Sequence, residues 1–213
     1  MEDMEFINLW KSYGKTLEES LSLNRKNAED ITRMKVKSLL SSMRPVKVFA
    51  IVVGLIWVLF LVALLKGVYS IATPFFLIAA GAQAALTLFA VVVYVYQLIL
   101  IQQVEIDEPI LLTQEKLAKL KSSTIWVPRI LFLQLPLWTM FYWNKSMLQN
   151  GNMILYIIQV LVTVGFLVLA IWLFRNISFA NRDKKWFKLL FNGPEWTPLM
   201  KSMEMLEQVR DYK

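Results

Sequence analysis

The chain has 213 residues, of which 57% are apolar, and its 23 basic and 16 acidic residues give a formal net charge of +7. It contains no cysteine and no histidine, which excludes disulfides, thiol chemistry, histidine acid–base catalysis and zinc sites of the usual type. We therefore expect a protein that is not an enzyme and that binds no cofactor and no metal. Because soluble domains are about 45–50% apolar, the excess indicates a membrane protein.

Four long apolar stretches hold that excess, at residues 48–65, 74–101, 125–143 and 153–174. Each is about as long as the ~20 residues that a membrane-spanning helix needs. The polar residues 1–47 predict no cleavable signal peptide ahead of the first stretch. The sequence thus predicts an all-α fold, an integral membrane four-helix bundle with amphipathic helices at both termini and in the central loop.

The positive charge lies almost entirely on one side of these stretches. Basic residues concentrate in the two tails and the central connection, so the positive-inside rule places both termini and that connection in the cytoplasm. Because these cations adjoin the apolar stretches, anionic lipid is the expected contact and nucleic acid is not. The predicted headgroup contacts are Arg33, Lys35, Lys37, Arg44, Lys47, Arg175, Lys184, Lys185 and Lys188.

The chain divides into alternating polar and apolar segments. Residues 1–47 are predicted to form cytoplasmic amphipathic helices, 48–101 a first transmembrane hairpin and 102–124 a cytoplasmic loop with a short helix. Residues 125–174 form a second hairpin, and 175–213 a cytoplasmic amphipathic segment. In the first segment the pattern predicts two helices, over 2–19 and 27–43, separated by SLSLN at 20–24. In the loop, Thr113 is predicted to cap a helix over 114–122.

One face of the first helix is a candidate binding surface. Its apolar residues recur at spacings of three and four: Phe6, Leu9, Trp10, Tyr13 and Leu17. Such a face can dock against a partner helix or in a groove. It can also lie on lipid or pack on the protein's own cytoplasmic helices, and the sequence leaves these alternatives open.

The apolar stretches contain a few residues suited to helix packing. Gly81 and Ala85 have the small-xxx-small spacing that allows close helix approach, within the chain or between two copies. Gln83, Gln134 and Gln159 are expected to form hydrogen bonds between helices, and Pro136 should kink its helix. The alternative is that the three glutamines line a polar path through the bundle.

The N-terminal sequence has Leu9 and Trp10, followed by Ile31, Met34, Lys37 and Ser38 ahead of the first apolar stretch. In these residues it resembles a family of small, multi-span inner-membrane proteins of Bacteroidota. Some of these proteins resemble products encoded beside alternative sigma factors. The resemblance therefore implies a multi-pass protein of the bacterial inner membrane that acts as a membrane-tethered, anti-sigma-like regulator.

These observations predict a non-enzymatic interaction scaffold or regulator that acts through its cytoplasmic face. The alternative function is a small transporter or channel. The expected partners are the lipid bilayer and a cytoplasmic protein, with a sigma factor named by the resemblance alone. A homo-oligomer is compatible with either function.

Overall fold

The computed structural model describes residues 2–105, 108–143, 153–191 and 193–211. Within these residues the fold is all-α and contains no strand. A single turn of 3₁₀ helix, Phe179–Asn181, follows the sixth helix. The helices, numbered in chain order, are α1 Glu2–Ser41, α2 Arg44–Val68, α3 Pro74–Gln102, α4 Ile110–Phe132, α5 Leu135–Met140, α6 Met153–Asn176, α7 Lys185–Phe191 and α8 Thr197–Asp211.

Among the described residues, three helical segments are long and apolar enough to cross a membrane. They lie within Ile7–Val68, at Pro74–Gln102 and at Met153–Asn176, and they contain the predicted stretches 48–65, 74–101 and 153–174. The predicted third stretch, 125–143, is not one helix. It is divided between α4, which ends at Phe132, and α5, which begins at Leu135. Pro136 explains the interruption, because proline has no backbone N–H to continue the helical hydrogen bonds.

The N-terminal region is a single helix, and the prediction of two helices was wrong. α1 continues from Glu2 to Ser41 through the segment SLSLN at 20–24. That segment contains neither glycine nor proline, and serine and asparagine each disfavour a helix by less than about 1 kcal/mol. Hydroxyl groups in the helix also bond locally, as Thr16 does to the carbonyl oxygen of Ser12 at 3.0 Å.

α1 continues into α2 with little interruption. Backbone hydrogen bonds join Ser42 to Ser38, Met43 to Leu40 and Lys47 to Met43, and Met43 itself has right-handed helical dihedral angles. α3 then returns antiparallel to α2 after a short turn, and Thr73 caps α3 by accepting a hydrogen bond from the Phe76 N–H at 3.3 Å. α2 and α3 thus form a long hairpin, and α1 leads directly into its first helix.

Two apolar clusters of the described residues lie at the end of the hairpin where α2 begins and α3 ends. The first joins α1, α3, α4 and α8, and its buried residues are Val36, Leu40, Met43, Leu100, Ile101, Val104, Leu117, Leu120, Leu199 and Leu206. The second joins the end of α6 to α7 and the segment before α8, through Leu173, Ile177, Phe187 and Trp196. The C-terminal segment therefore packs on the other helices, and Phe187 is only 4% exposed.

The central connection is fixed by a small polar network. Lys116 pairs with Glu108 and donates to the Gln103 carbonyl oxygen. Thr113 was predicted to cap a helix, but α4 already begins at Ile110, and the Thr113 hydroxyl donates to Glu108 at 2.9 Å instead. On the exposed side of α4 Glu115 and Lys119 pair at 2.7 Å. The hydrogen bond from Lys119, then its charge, lower the pKa of the Glu115 carboxyl.

Candidate functional site

The N-terminal part of α1 forms an arm that makes no buried contact with the rest of the described protein. We define the arm as residues 7–28, every one of which is exposed. Four of the predicted binding residues form its docking face: Leu9 is 57% exposed, Trp10 73%, Tyr13 68% and Leu17 61%. The side chain of the fifth, Phe6, lies outside the described residues. The alternative that this face packs on the protein's own helices is therefore wrong for these four residues.

The docking face and the buried face of α1 lie on different sides of one continuous helix. The buried face consists of Val36 and Leu40, which are fully buried in the first apolar cluster. Leu40 follows Tyr13 by 27 positions, and at about 100° per residue this separation places the two on opposite sides of α1. Packing of α1 on the body of the protein, residues 29 onward, therefore leaves the docking face pointing away.

The arm is also far from the apolar part of the hairpin. Leu17 precedes Val48, the first residue of the predicted span, by 31 positions, which corresponds to about 45 Å of helix at a rise of about 1.5 Å per residue. Leu40 and Met43, at the other end of α1, lie in one apolar cluster with Leu100 and Val104 at the end of α3. The arm is thus separated from the apolar segment of the hairpin by the packed part of α1.

The predicted headgroup residues divide into exposed and enclosed groups. Lys35, Arg175, Lys184, Lys185 and Lys188 are exposed, whereas Arg33, Lys37 and Arg44 are half-buried. Acidic neighbours lie close to some of these cations, since Arg33 is 4.0 Å from Glu29 and Lys188 is 3.8 Å from Asp183. The exposed cations stay available for lipid phosphates.

Lys47 does not occupy the position that the sequence predicted. It is fully buried, so the prediction of a headgroup contact was wrong for this residue. Its ammonium donates to Oε1 of Gln97 on α3 and lies 3.8 Å from Oε1 of Glu195, in the turn before α8. The ammonium also lies 5.1 Å from the centre of the Tyr94 ring. An opposite charge and a polar acceptor thus offset part of the cost of burying this cation.

This buried pair connects the C-terminal segment to the first hairpin. Beside it lies a groove of about 290 Å³ between α3, α4 and the turn before α8, lined by Tyr94, Pro128, Glu195 and Trp196 among others. Sequence reasoning missed the pair, because Glu195 is remote in sequence from Lys47. Gln97, a polar residue within an apolar helix, was the one visible signal.

The three glutamines of the predicted polar path have separate surroundings. The Gln134 amide donates to the Thr87 hydroxyl at 3.1 Å, between α3 and the α4–α5 junction. The Gln159 amide donates to the Thr139 carbonyl oxygen at 2.7 Å, between α5 and α6. Gln83 is fully buried, and neither atom of its amide has a hydrogen-bond partner among the described residues. Two of the three therefore link helices, as predicted.

Replacing Gln83 with leucine tests whether its amide has a role. We expect the free energy of unfolding to stay unchanged or to rise by about 1–2 kcal/mol, because a buried amide without partners carries a desolvation penalty that leucine lacks. Thermal unfolding in detergent measures this, with Gln134→Leu as the control that removes an existing bond. Destabilisation by Gln83→Leu would reveal an unseen partner.

The predicted polar path has a test of its own. If Gln83, Gln134 and Gln159 were all replaced with leucine and liposome flux stayed unaltered, the polar path would be eliminated.

Close approach of helices occurs at Gly54, and not at the predicted Gly81. A Cβ added at Gly54 would lie 2.6 Å from Cγ2 of Val91, whereas one added at Gly81 would meet no atom within 4 Å. α3 turns Ala80, Gln83 and Thr87 toward its neighbours and leaves Ala85 exposed. The prediction of helix packing within the chain at Gly81 and Ala85 was therefore wrong.

The described residues hold no group of three or more acidic side chains placed to bind a metal ion.

Comparisons of the chain with protein-family models, curated proteins and solved structures found no match.

Proposed function

We propose that this protein is a non-enzymatic, membrane-anchored interaction protein whose arm is a protein-binding element. The observation that carries the proposal is the exposure of Trp10, Tyr13 and Leu17 on a helix whose opposite face is buried further along in the body. Aromatic residues are enriched at protein interfaces, and amphipathic helices bind partner helices or grooves through such faces. The four-span arrangement in a bacterial inner membrane, with both termini cytoplasmic, is part of the proposal.

The position of the arm favours a protein over lipid as its occupant. An amphipathic helix that binds lipid lies in the plane of the interface, with its apolar face inserted about 5–10 Å. The arm is instead the far part of a nearly continuous helix, and Leu17 precedes the span by about 45 Å of that helix. Because the docking face lies so far along the helix from the span, a protein rather than the protein's own bilayer is the occupant that we propose.

A photo-cross-linking amino acid at position 13 tests the proposal in membranes of the native host. We expect Tyr13 replaced in this way to form protein adducts on irradiation, because the docking face is occupied by protein. The same amino acid at Lys15 is the control, since Lys15 lies on the opposite side of the arm and its side chain is 78% exposed. Adducts with lipid alone at position 13, or equal protein adducts at both positions, would contradict the proposal.

The resemblance to proteins encoded beside alternative sigma factors adds a candidate for the partner. We extend the proposal to a membrane-tethered regulator that holds a sigma factor at the membrane. Deleting residues 1–23 should then abolish co-purification of the sigma factor with the membrane protein. Unchanged recovery would remove the sigma factor from the proposal but would leave the interaction function in place.

A small transporter or channel stays the alternative prediction. It would use Gln83, Gln134 and Gln159, of which Gln134 and Gln159 are hydrogen-bonded between helices. The exposed docking face favours the interaction function over this alternative.

A further inference from the structure

The exposed side of α1 carries two groups of apolar residues at coiled-coil spacing, one in the docking face and one at Ile31 and Met34, with polar residues between them. Starting from Trp10, the chain places residues alternately three and four positions apart on one side of the helix, which is the a/d pattern of a coiled coil. The apolar members are all exposed: Trp10 73%, Tyr13 68%, Leu17 61%, Ile31 47% and Met34 50%. We call this line of residues the seam: Trp10, Tyr13, Leu17, Ser20, Asn24, Asn27, Ile31, Met34 and Ser38.

The other positions of the repeat agree with that pattern. Charged residues of the arm, and Glu29 directly after it, avoid the seam and occupy the positions that point away from it, where a coiled coil meets solvent. Lys15 and Glu19 pair there at 3.9 Å, as do Arg25 and Glu29. These residues are Lys11, Lys15, Glu18, Glu19, Arg25, Lys26 and Glu29.

We propose that the seam binds the seam of a second copy of this chain, as a parallel two-stranded coiled coil. This inference rests on the proposed function, because it names the protein that occupies the same face. All copies inserted with one topology in one membrane have parallel arms that start at the same height. A second copy therefore meets the geometric requirement for a parallel, in-register pair without any further element.

Residues beside the seam and at its centre favour two parallel helices in one register. Asp30 flanks the seam on one side and Lys35 on the other, five positions later, so Asp30 of each copy lies opposite Lys35 of the second copy. Opposite charges at these flanking positions set partner choice and orientation. Asn24 occupies a central seam position, where asparagine specifies register at a cost in stability.

The body of the protein does not obstruct this pairing. α8 and the end of α3 pack on the side of α1 that carries Val36 and Leu40, opposite the seam. The two bodies would therefore lie on the outer sides of the paired arms. The exposed Ile31 and Met34 extend the apolar contact from the arm to the body.

Disulfide formation between introduced cysteines tests the pairing, because the chain has no cysteine of its own. The full-length variant Asn24→Cys is reconstituted in lipid vesicles and exposed to a mild oxidant. We expect covalent dimer, since seam positions of a parallel pair bring Cα atoms within the roughly 4.4–6.8 Å that a disulfide spans. Asn24 is suitable because its replacement removes no apolar contact.

The matched control is Ser22→Cys, which is equally exposed and points away from the seam. We expect about tenfold less dimer at position 22 under the same oxidation, because the two Cα atoms lie beyond disulfide reach. Equal dimer at positions 22 and 24, or no dimer at 24, overturns the inference. If no dimer forms at position 24, photo-cross-linking at position 13 to a different protein would still support the proposed function. Failure of the coiled-coil inference can therefore be told apart from failure of the proposed function.

Discussion

Replacing Glu195 with leucine is expected to lower the free energy of unfolding by about 3–5 kcal/mol, because it leaves the fully buried Lys47 without its opposite charge. The Glu195 carboxylate is 3.8 Å from the Lys47 ammonium, and Gln97 supplies only a neutral acceptor. Thermal unfolding of the purified protein in detergent measures the effect, at about 2–4 °C per kcal/mol for a chain of this size.

The partner variant, Lys47→Met, should be much milder. Methionine fills most of the space of the lysine side chain, and the Glu195 side chain, 21% exposed, retains contact with solvent. The main loss is the hydrogen bond to Gln97, about 1–3 kcal/mol for a buried amide left unpaired.

The double variant Lys47→Met with Glu195→Leu separates the pair from its surroundings. It should resemble Lys47→Met rather than the sum of the two changes, because no buried charge is left. Additive losses in the double variant would show that the two residues act independently. Such a result would contradict the role of this pair in holding the C-terminal segment to the hairpin.

The second large effect that we expect is a loss of stability when Gly54 is replaced with leucine. A Cβ at this position would already lie 2.6 Å from Cγ2 of Val91, and valine has little rotamer freedom with which to move aside. The added side chain must push α2 away from α3, at about 1–3 kcal/mol or more for overpacking. A lowered midpoint of thermal unfolding in detergent is the measurement.

Gly81→Leu is the matched control, since it adds the same side chain to a glycine with no atom within 4 Å of the new Cβ. We expect its effect to be small. If Gly81→Leu lowered the unfolding midpoint as much as Gly54→Leu, the α2–α3 contact at Gly54 would not be the close crossing. A change of apparent mass confined to Gly81→Leu would instead indicate a contact between copies on that side of α3.

The effects of Glu195→Leu and Gly54→Leu could not be predicted from the sequence, although the helices that contain or adjoin these residues could. The apolar stretch 48–65 predicts a helix with Gly54 in it, and α3 was expected to begin at Pro74, where it does begin. Which glycine meets a neighbour depends on how α2 and α3 are rotated about their axes. That rotation is set by the packing of all their side chains together, and small-residue spacing along one helix carries no information about the opposite helix.

The N-terminal helix α1 shows the same difference between local structure, which the sequence predicts, and contacts with distant residues, which it does not. The spacing of Leu9, Trp10, Tyr13 and Leu17 correctly predicts one apolar face, because helical periodicity is a local property. The predicted break at residues 20–24 was wrong, because serine and asparagine disfavour a helix only weakly. Whether the face is covered depends on where Val36 and Leu40 meet α3 and α8, which lie far away in the sequence.

The sequence by itself predicted the helical class and the apolar face of α1, since length, hydropathy and periodicity are properties of continuous segments. Of its four predicted spans, three lie in helices apolar enough to cross a membrane, and the fourth, 125–143, is divided between α4 and α5. The tertiary structure alone decided that this face is exposed, that Lys47 is buried against Glu195 and Gln97, and that Gly54 rather than Gly81 lies at a close crossing. These outcomes depend on contacts between residues distant in the chain. Such contacts follow from the joint packing of several helices, which no single segment encodes.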